Sequence, residues 1–250
     1  MQREITRELV RRLLPGRMAE SNKGSYGSVL AAAGSMAYRG AAALCTEGAL
    51  RGGAGLVYLA SVEPVIQLVL SRTPECCACG CRTAANGGIH PQDADALNAL
   101  AAGKYRGDLP ANTILTPHPG EAARLLGLTV PEVQADREGA AVSLAEKYHC
   151  VAVLKGHHTL VAAPGGTVWR NETGNAGLAK GGSGDILAGL TAGLLAAGLK
   201  QGRTPEDAAV CAVWLHGAAA DRCAKRRSMT AMLPGDLFED LGWIFGELGR

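Results

Sequence analysis

Short apolar runs punctuated by glycine constrain this chain more than any other feature, because they alternate with longer stretches of helical periodicity. The runs are Val29 to Ala33, Leu56 to Ala60, Thr113 to Leu115, Val151 to Leu154 and Thr159 to Ala163. Most of them are apolar at successive rather than alternate positions, as in strands buried on both faces. Helical patterns occupy Ala41 to Arg51, Glu121 to Leu126, Pro131 to Tyr148, Asp185 to Ala197 and Pro205 to Ala224. That alternation predicts an α/β fold with a mostly parallel central sheet and helices on both faces. The stretch Cys76 to Pro91 is the least regular and reads as a loop. Pro91 to Leu100 reads as a short helix opened by Asp93.

A chain of 250 residues, 47% hydrophobic, suffices for one core, so a single domain over 1–250 is expected. Lys and Arg number 25 against 23 Asp and Glu, which gives no long-range attraction for nucleic acid or an anionic membrane. Aromatic residues make up 4%, too few for the stacking platforms of single-strand binders. Met1 to Arg12 alternates charge with leucine and holds no apolar stretch fit for a signal or a span, so a cytoplasmic protein is expected. The eight cysteines then read as reduced thiols. Cys76, Cys77, Cys79 and Cys81 crowd together near His90, but there is no second ligand pair. An irregular reduced loop is favoured over a zinc site.

The strongest motif is Asn175 to Gly189, N-A-G-L-A-K-G-G-S-G-D-I-L-A-G, which leads into an alanine- and leucine-rich helix. Gly181, Gly182 and Gly184 leave backbone N–H groups bare, and the helix dipole adds positive potential, so the turn can hold a phosphate. Asp185 at the helix start has two readings: a cap for the helix, or a proton acceptor beside the phosphate during group transfer. Lys155-Gly156-His157-His158-Thr159 lies at a tight strand junction and can hold nucleotide phosphates, or serve as a solvated hairpin turn. Adjacent His157 and His158 point to opposite faces, which disfavours joint metal ligation. Thr116-Pro117-His118-Pro119-Gly120-Glu121 falls at the carboxyl edge of the sheet, where doubly wound folds bind ligands. There His118 can bond a substrate and Glu121 a water or a Mg²⁺ shell, or the segment simply turns the chain and complements a helix dipole. The small residues around Gly40 and Ala41 admit close approach by a ligand or by another helix.

Taken in order, these segments resemble the ADP- or ATP-dependent NAD(P)H-hydrate dehydratases of the ribokinase-like superfamily. The likeness runs from Pro15-Gly16-Arg17 and K-G-S-Y-G through G-A-A-A-L, G-G-A-G-L-V, D-A-D-A-L-N at Asp93 to Asn98, L-T-P-H-P-G-E, V-L-K-G-H-H-T and N-A-G-L-A-K-G-G-S-G-D to Leu215-His216-Gly217-Ala218. It implies that a nucleotide phosphorylates the hydroxyl of the S epimer of hydrated NADH or NADPH. Loss of phosphate then restores the dihydronicotinamide. By matched position it implies Asp185 as base and substrate contact, with Gly40, Ala41 and His118 on the substrate side. Lys155, Gly156, His157, His158, Thr159, Gly182, Ser183 and Gly184 would hold ADP or ATP, and Mg²⁺ would bridge its phosphates with Glu121 nearby. A homotetramer is implied as well, with helices such as Ala41 to Gly53 able to pack subunits. The epimerase domain of bifunctional relatives is not expected.

One departure is plain. Family members carry a strand ending in a G-P-G-L-G-like turn, then a helix and a further strand, before the D-A-D-A-L-N segment; Cys76 to Gln92 is too short to hold them and has no G-P-G. That turn helps bind the hydrated cofactor in the family. Two other readings therefore stand beside the dehydratase: a small-molecule kinase similar to hydroxymethylpyrimidine or hydroxyethylthiazole kinases, and a nucleotide-binding remnant without turnover.

Overall fold

The computed structural model describes residues 2–89 and 109–250. The strands are β1 (Gln2–Glu4), β2 (Ser28–Ala32), β3 (Leu56–Ser61), β4 (Cys77–Gly80), β5 (Ile114–Leu115), β6 (Val151–Leu154), β7 (Leu160–Ala162) and β8 (Val168–Arg170). The helices are α1 (Arg7–Leu13), α2 (Arg39–Arg51), α3 (Glu63–Arg72), α4 (Pro119–Leu126), α5 (Val130–Ala135), α6 (Arg137–Tyr148), α7 (Ser183–Leu199), α8 (Pro205–Arg227) and α9 (Leu237–Glu247). Pairing is parallel between β1 and β8, β5 and β6, β2 and β3, and β3 and β4, and antiparallel along β6, β7 and β8. This is the expected α/β architecture, mostly parallel with helices on both faces.

Strand β6 shows why its apolar run has no alternation. Val151 and Val153 enter the core formed with α7, α8 and α9, whereas Ala152 and Leu154 enter the core formed with α4 and α6. All four are buried, as a strand covered on both faces requires.

The central sheet is divided among the described residues. Five strands run in the order β1-β8-β7-β6-β5 and three in the order β2-β3-β4, with no strand joining β4 to β5. Helices bridge the two parts: α2 belongs to the smaller core and lies directly on α7. A Cβ added at Gly189 would stand 2.0 Å from the Cys45 carbonyl oxygen, and one at Gly193 2.2 Å from that of Ala49. Only glycine permits so close a crossing. The small-residue face of α2, expected as a possible subunit contact, is thus spent inside the chain.

Three expectations are corrected or extended. Cys77–Gly80 is not loop but strand β4, parallel to β3 with Tyr58 beside Cys77. Its residues are small and all exposed, so no hydrophobic period marks it. The predicted helix Pro131 to Tyr148 breaks at Asp136, which ends α5 with φ −136° and whose carboxylate then accepts from Gly139 N at 2.8 Å to start α6. Strands β1 and β8 and helices α1, α3 and α9 were not anticipated. The expected helix Pro91 to Leu100 and His90 lie outside the described residues. No helix among the described residues is long and apolar enough to cross a membrane.

Candidate active site

At the carboxyl end of β6 the chain opens into a cleft of about 1070 Å³. One wall is the β6–β7 turn, Lys155 to Thr159; the opposite wall is Lys180 to Asp185 at the start of α7; the floor comes from Asn171, Thr173, Gly174 and Asn175 and from Val213, His216 and Gly217 of α8.

The start of α7 is built for an anion. Gly182 is the N-cap, with φ +100°, and a Cβ there would meet Leu44 Cδ1 at 2.5 Å, so the position takes only glycine. No side chain caps this helix. The N–H groups of Gly182, Gly184 and Asp185 donate to no acceptor among the described residues and stand at the positive end of the helix dipole. The Asp185 carboxylate has no hydrogen-bond partner among the described residues, so the capping reading of this residue does not hold. Burial raises the Asp185 carboxyl above its ordinary range, with the cation of Lys155 opposing.

Burial likewise lowers the Lys155 ammonium, while Glu121 and Asp185 oppose that loss. Its Nζ lies 3.9 Å from Glu121 Oε2 and alongside Gly184, whose added Cβ would meet it at 3.3 Å. The turn carrying it is fixed from behind by Arg137. That guanidinium donates to Leu154 O at 3.2 Å and to Lys155 O at 3.4 Å, and packs against Gly156, which has φ +144°. Thr159 Oγ1 donates to Gly156 O at 3.0 Å and closes the turn. His158 Nδ1 is 2.9 Å from Glu172 Oε2, and its ring sits 3.7 Å from that of His157.

Thus Lys155, Gly156, His157, His158, Thr159, Gly182, Ser183, Gly184 and Asp185 come together around one cleft. Four other candidates stand apart. His118 and Glu121 form a capping box at the start of α4: His118 N donates to Glu121 Oε2 at 2.7 Å, and Gly120 N and Glu121 N donate to His118 Nδ1 at 3.0 and 3.3 Å. Glu121 nevertheless reaches the site through Lys155. Gly40 and Ala41 lie in the first turn of α2 and do not line the cleft, although Leu44 of the same helix touches Gly182. Among the described residues no group of three or more His, Cys, Asp or Glu side chains could hold a metal ion.

Of the floor, Asn175, His216 and Gly217 lie in segments that carry the family likeness, whereas Asn171, Thr173, Gly174 and Val213, and Asp221 behind them, were not singled out by the sequence. Asp221 accepts from Gly174 N at 2.8 Å and Asn175 Nδ2 at 3.0 Å, and Asn171 Nδ2 donates to Thr173 O and Val213 O. The polar run Asn171-Glu172-Thr173 after an apolar strand was the signal available. Lys180, although inside the motif, is committed elsewhere: its Nζ donates to Thr230 O and Met232 O at 2.7 and 2.5 Å.

A bare, glycine-rich helix start facing a lysine turn at the carboxyl end of a mostly parallel sheet defines an α/β protein with a site for phosphate groups. The chain belongs to the NAD(P)H-hydrate dehydratase family, whose model matches residues 91–242. The ADP-dependent (S)-NAD(P)H-hydrate dehydratase of Neisseria meningitidis is 37% identical over 91% of this chain and 88% of its own length. The bifunctional NAD(P)H-hydrate repair enzyme of Moorella thermoacetica is 36% identical over 98% of this chain. This chain spans about half of that longer relative, 54%. Among solved structures, the ADP/ATP-dependent NAD(P)H-hydrate dehydratase of Bacillus subtilis, co-crystallised with ATP and Mg²⁺, matches with a TM-score of 0.84 and 33% identity over 98% of both chains.

Proposed function

We propose that this chain dehydrates the S epimer of hydrated NADH or NADPH at the expense of ADP or ATP. The observation that carries the reading is the uncapped Asp185 carboxylate, half-buried beside Lys155 and bare backbone amides. The nucleotide's terminal phosphate lies against the N–H groups of Gly182, Gly184 and Asp185, opposite Lys155. Ser183 and the turn Gly156, His157, His158 and Thr159 complete the nucleotide wall. Asp185 takes the proton of the substrate hydroxyl as its oxygen bonds to phosphorus and the phosphoanhydride bond breaks. Departure of that phosphate with the C–O electron pair, followed by loss of a proton from the adjacent ring carbon to solvent, restores the C=C bond of the dihydronicotinamide. The raised carboxyl of Asp185 makes it a stronger base than an exposed aspartate.

Mg²⁺ fits this site through the nucleotide rather than through a protein cage, since it is normally held by substrate phosphates with one or two carboxylates. Glu121, through water, and Asp185 are the carboxylates in reach. The ion supplies neutralisation of phosphate charge.

The short segment 76–92 is compatible with this reading because the nucleotide wall is built entirely from residues beyond it. Gly40, Ala41 and His118 then bound the substrate side. A cytoplasmic location and a homotetramer belong to the same reading, the second drawn from likeness to the family.

The test is to incubate the protein with hydrated NADH, Mg²⁺ and ADP or ATP, and to follow dihydronicotinamide absorbance beside Asp185→Ala. Nucleotide-dependent recovery that vanishes in the variant is expected. A stable phosphorylated product would make the protein a kinase, and nucleotide binding without turnover would make it a remnant.

A further inference from the structure

His216 lies in the middle of α8, 7% exposed, with Nε2 3.4 Å from Ser183 Oγ, and both side chains border the cleft. Neither residue is needed to build α7, whose N-cap is Gly182. Ser183 is the first residue of that helix, flanked by the bare amides of Gly182 and Gly184. A hydroxyl there has one proton, and its use depends on what its oxygen faces.

We propose that His216 is a positioning residue: its Nε2–H donates to Ser183 Oγ, and the hydroxyl proton is thereby turned toward the phosphate held at the start of α7. Were the ring to accept from Ser183 instead, the hydroxyl would present only lone pairs to an anion. Burial holds the imidazole neutral, its pKa lowered to about 4; a hydrogen bond to the Ser183 backbone opposes this lowering and the Lys155 cation adds to it. A neutral ring has one N–H, and the Ser183 contact is made through Nε2. The anion site thus gains a hydroxyl donor of fixed direction without a second positive charge beside Lys155. A hydrogen bond to a charged group contributes enough to change affinity by about tenfold or somewhat more.

This inference rests on the reading that nucleotide phosphates occupy the start of α7. The experiment measures ADP binding by calorimetry, and kcat and KM for the nucleotide, in wild type, Ser183→Ala, His216→Leu, the double variant and His216→Gln. Ser183→Ala and His216→Leu are each expected to weaken ADP binding about tenfold and to raise KM more than they lower kcat. The double variant should be no weaker than Ser183→Ala, and His216→Gln, which keeps a donor at the end of its side chain, should recover most of the affinity. Multiplying losses in the double variant, wild-type affinity in His216→Leu while Ser183→Ala is weakened, or a His216→Gln variant as weak as a stably folded His216→Leu, would overturn the proposal. Nitrogen-15 spectroscopy of wild-type protein at pH 7 is an independent check that needs no variant to fold. A neutral ring protonated on Nε2 is expected, and an Nδ1–H or cationic ring overturns the proposal. Wild type that binds no nucleotide overturns the functional reading as well, whereas wild-type binding with unaffected His216 variants sinks this inference alone.

Discussion

The guanidinium of Arg137 donates to the backbone oxygen of Lys155 at 3.4 Å and to that of Leu154 at 3.2 Å, so a residue at the start of α6 sets the direction of the lysine turn. Replacing it with alanine leaves those two carbonyls and the Gly156 backbone unsupported. Arg137→Ala is expected to weaken ADP binding about tenfold and to lower stability by about 1–2 kcal/mol, with Arg137→Lys recovering part of both. Calorimetry and urea unfolding check this. An unchanged dissociation constant would show that the turn holds its shape without the arginine.

Asp185 is expected to matter to turnover and not to affinity. Asp185→Asn keeps the shape and removes the base, so kcat should fall by at least about 100-fold. ADP should bind no more weakly than to wild type, because a negative charge beside the phosphates is gone. Steady-state kinetics with parallel binding measurements separate the two effects, and a weakened ADP affinity at normal kcat would contradict the assignment.

Stability should decline in mild acid through His216. The unfolded chain takes up a proton on this ring near its ordinary value of 6.5 and the folded chain only near about 4. Protonation therefore favours unfolding: stability is complete above pH 7, falls as pH drops through 6.5, and stops falling from this cause below about 4. Between pH 7.5 and pH 5 the loss amounts to about 2 kcal/mol. His216→Gln should lose correspondingly less over that range in urea titrations. Equal losses in both proteins would show that other groups dominate the acid limb.

The helix crossing of α2 and α7 gives a pair of opposite expectations. Gly189→Ala places a methyl group against the Cys45 carbonyl and should cost about 3 kcal/mol or more, since backbone rather than a flexible side chain must yield. Gly242→Ala, in the middle of α9 with nothing within 4 Å of the added carbon, should stabilise by about 0.5–1 kcal/mol. Thermal denaturation of the two variants distinguishes a packing glycine from a replaceable one.

Much of the site was legible because its chemistry is local. The turn Lys155 to Thr159 and the start of α7 expose backbone amides and a single lysine to the cleft, and glycine-rich spacing announces such features. The capping role of His118 and Glu121 was less legible. Their pattern fits a substrate contact and a helix cap equally well, and the hydrogen bonds that choose the cap appear only when α4 is folded.

By itself the sequence determined the α/β class, the two walls of the cleft and the resemblance to a dehydratase family, since apolar period, glycine placement and motif order are all properties of neighbouring residues. Only the tertiary structure decided that Asp185 is free of a capping duty, that Arg137 fixes the lysine turn, and that His216 meets Ser183 across 33 positions of chain. Those outcomes depend on which distant segments come within hydrogen-bonding reach, a question of packing geometry that no local pattern contains.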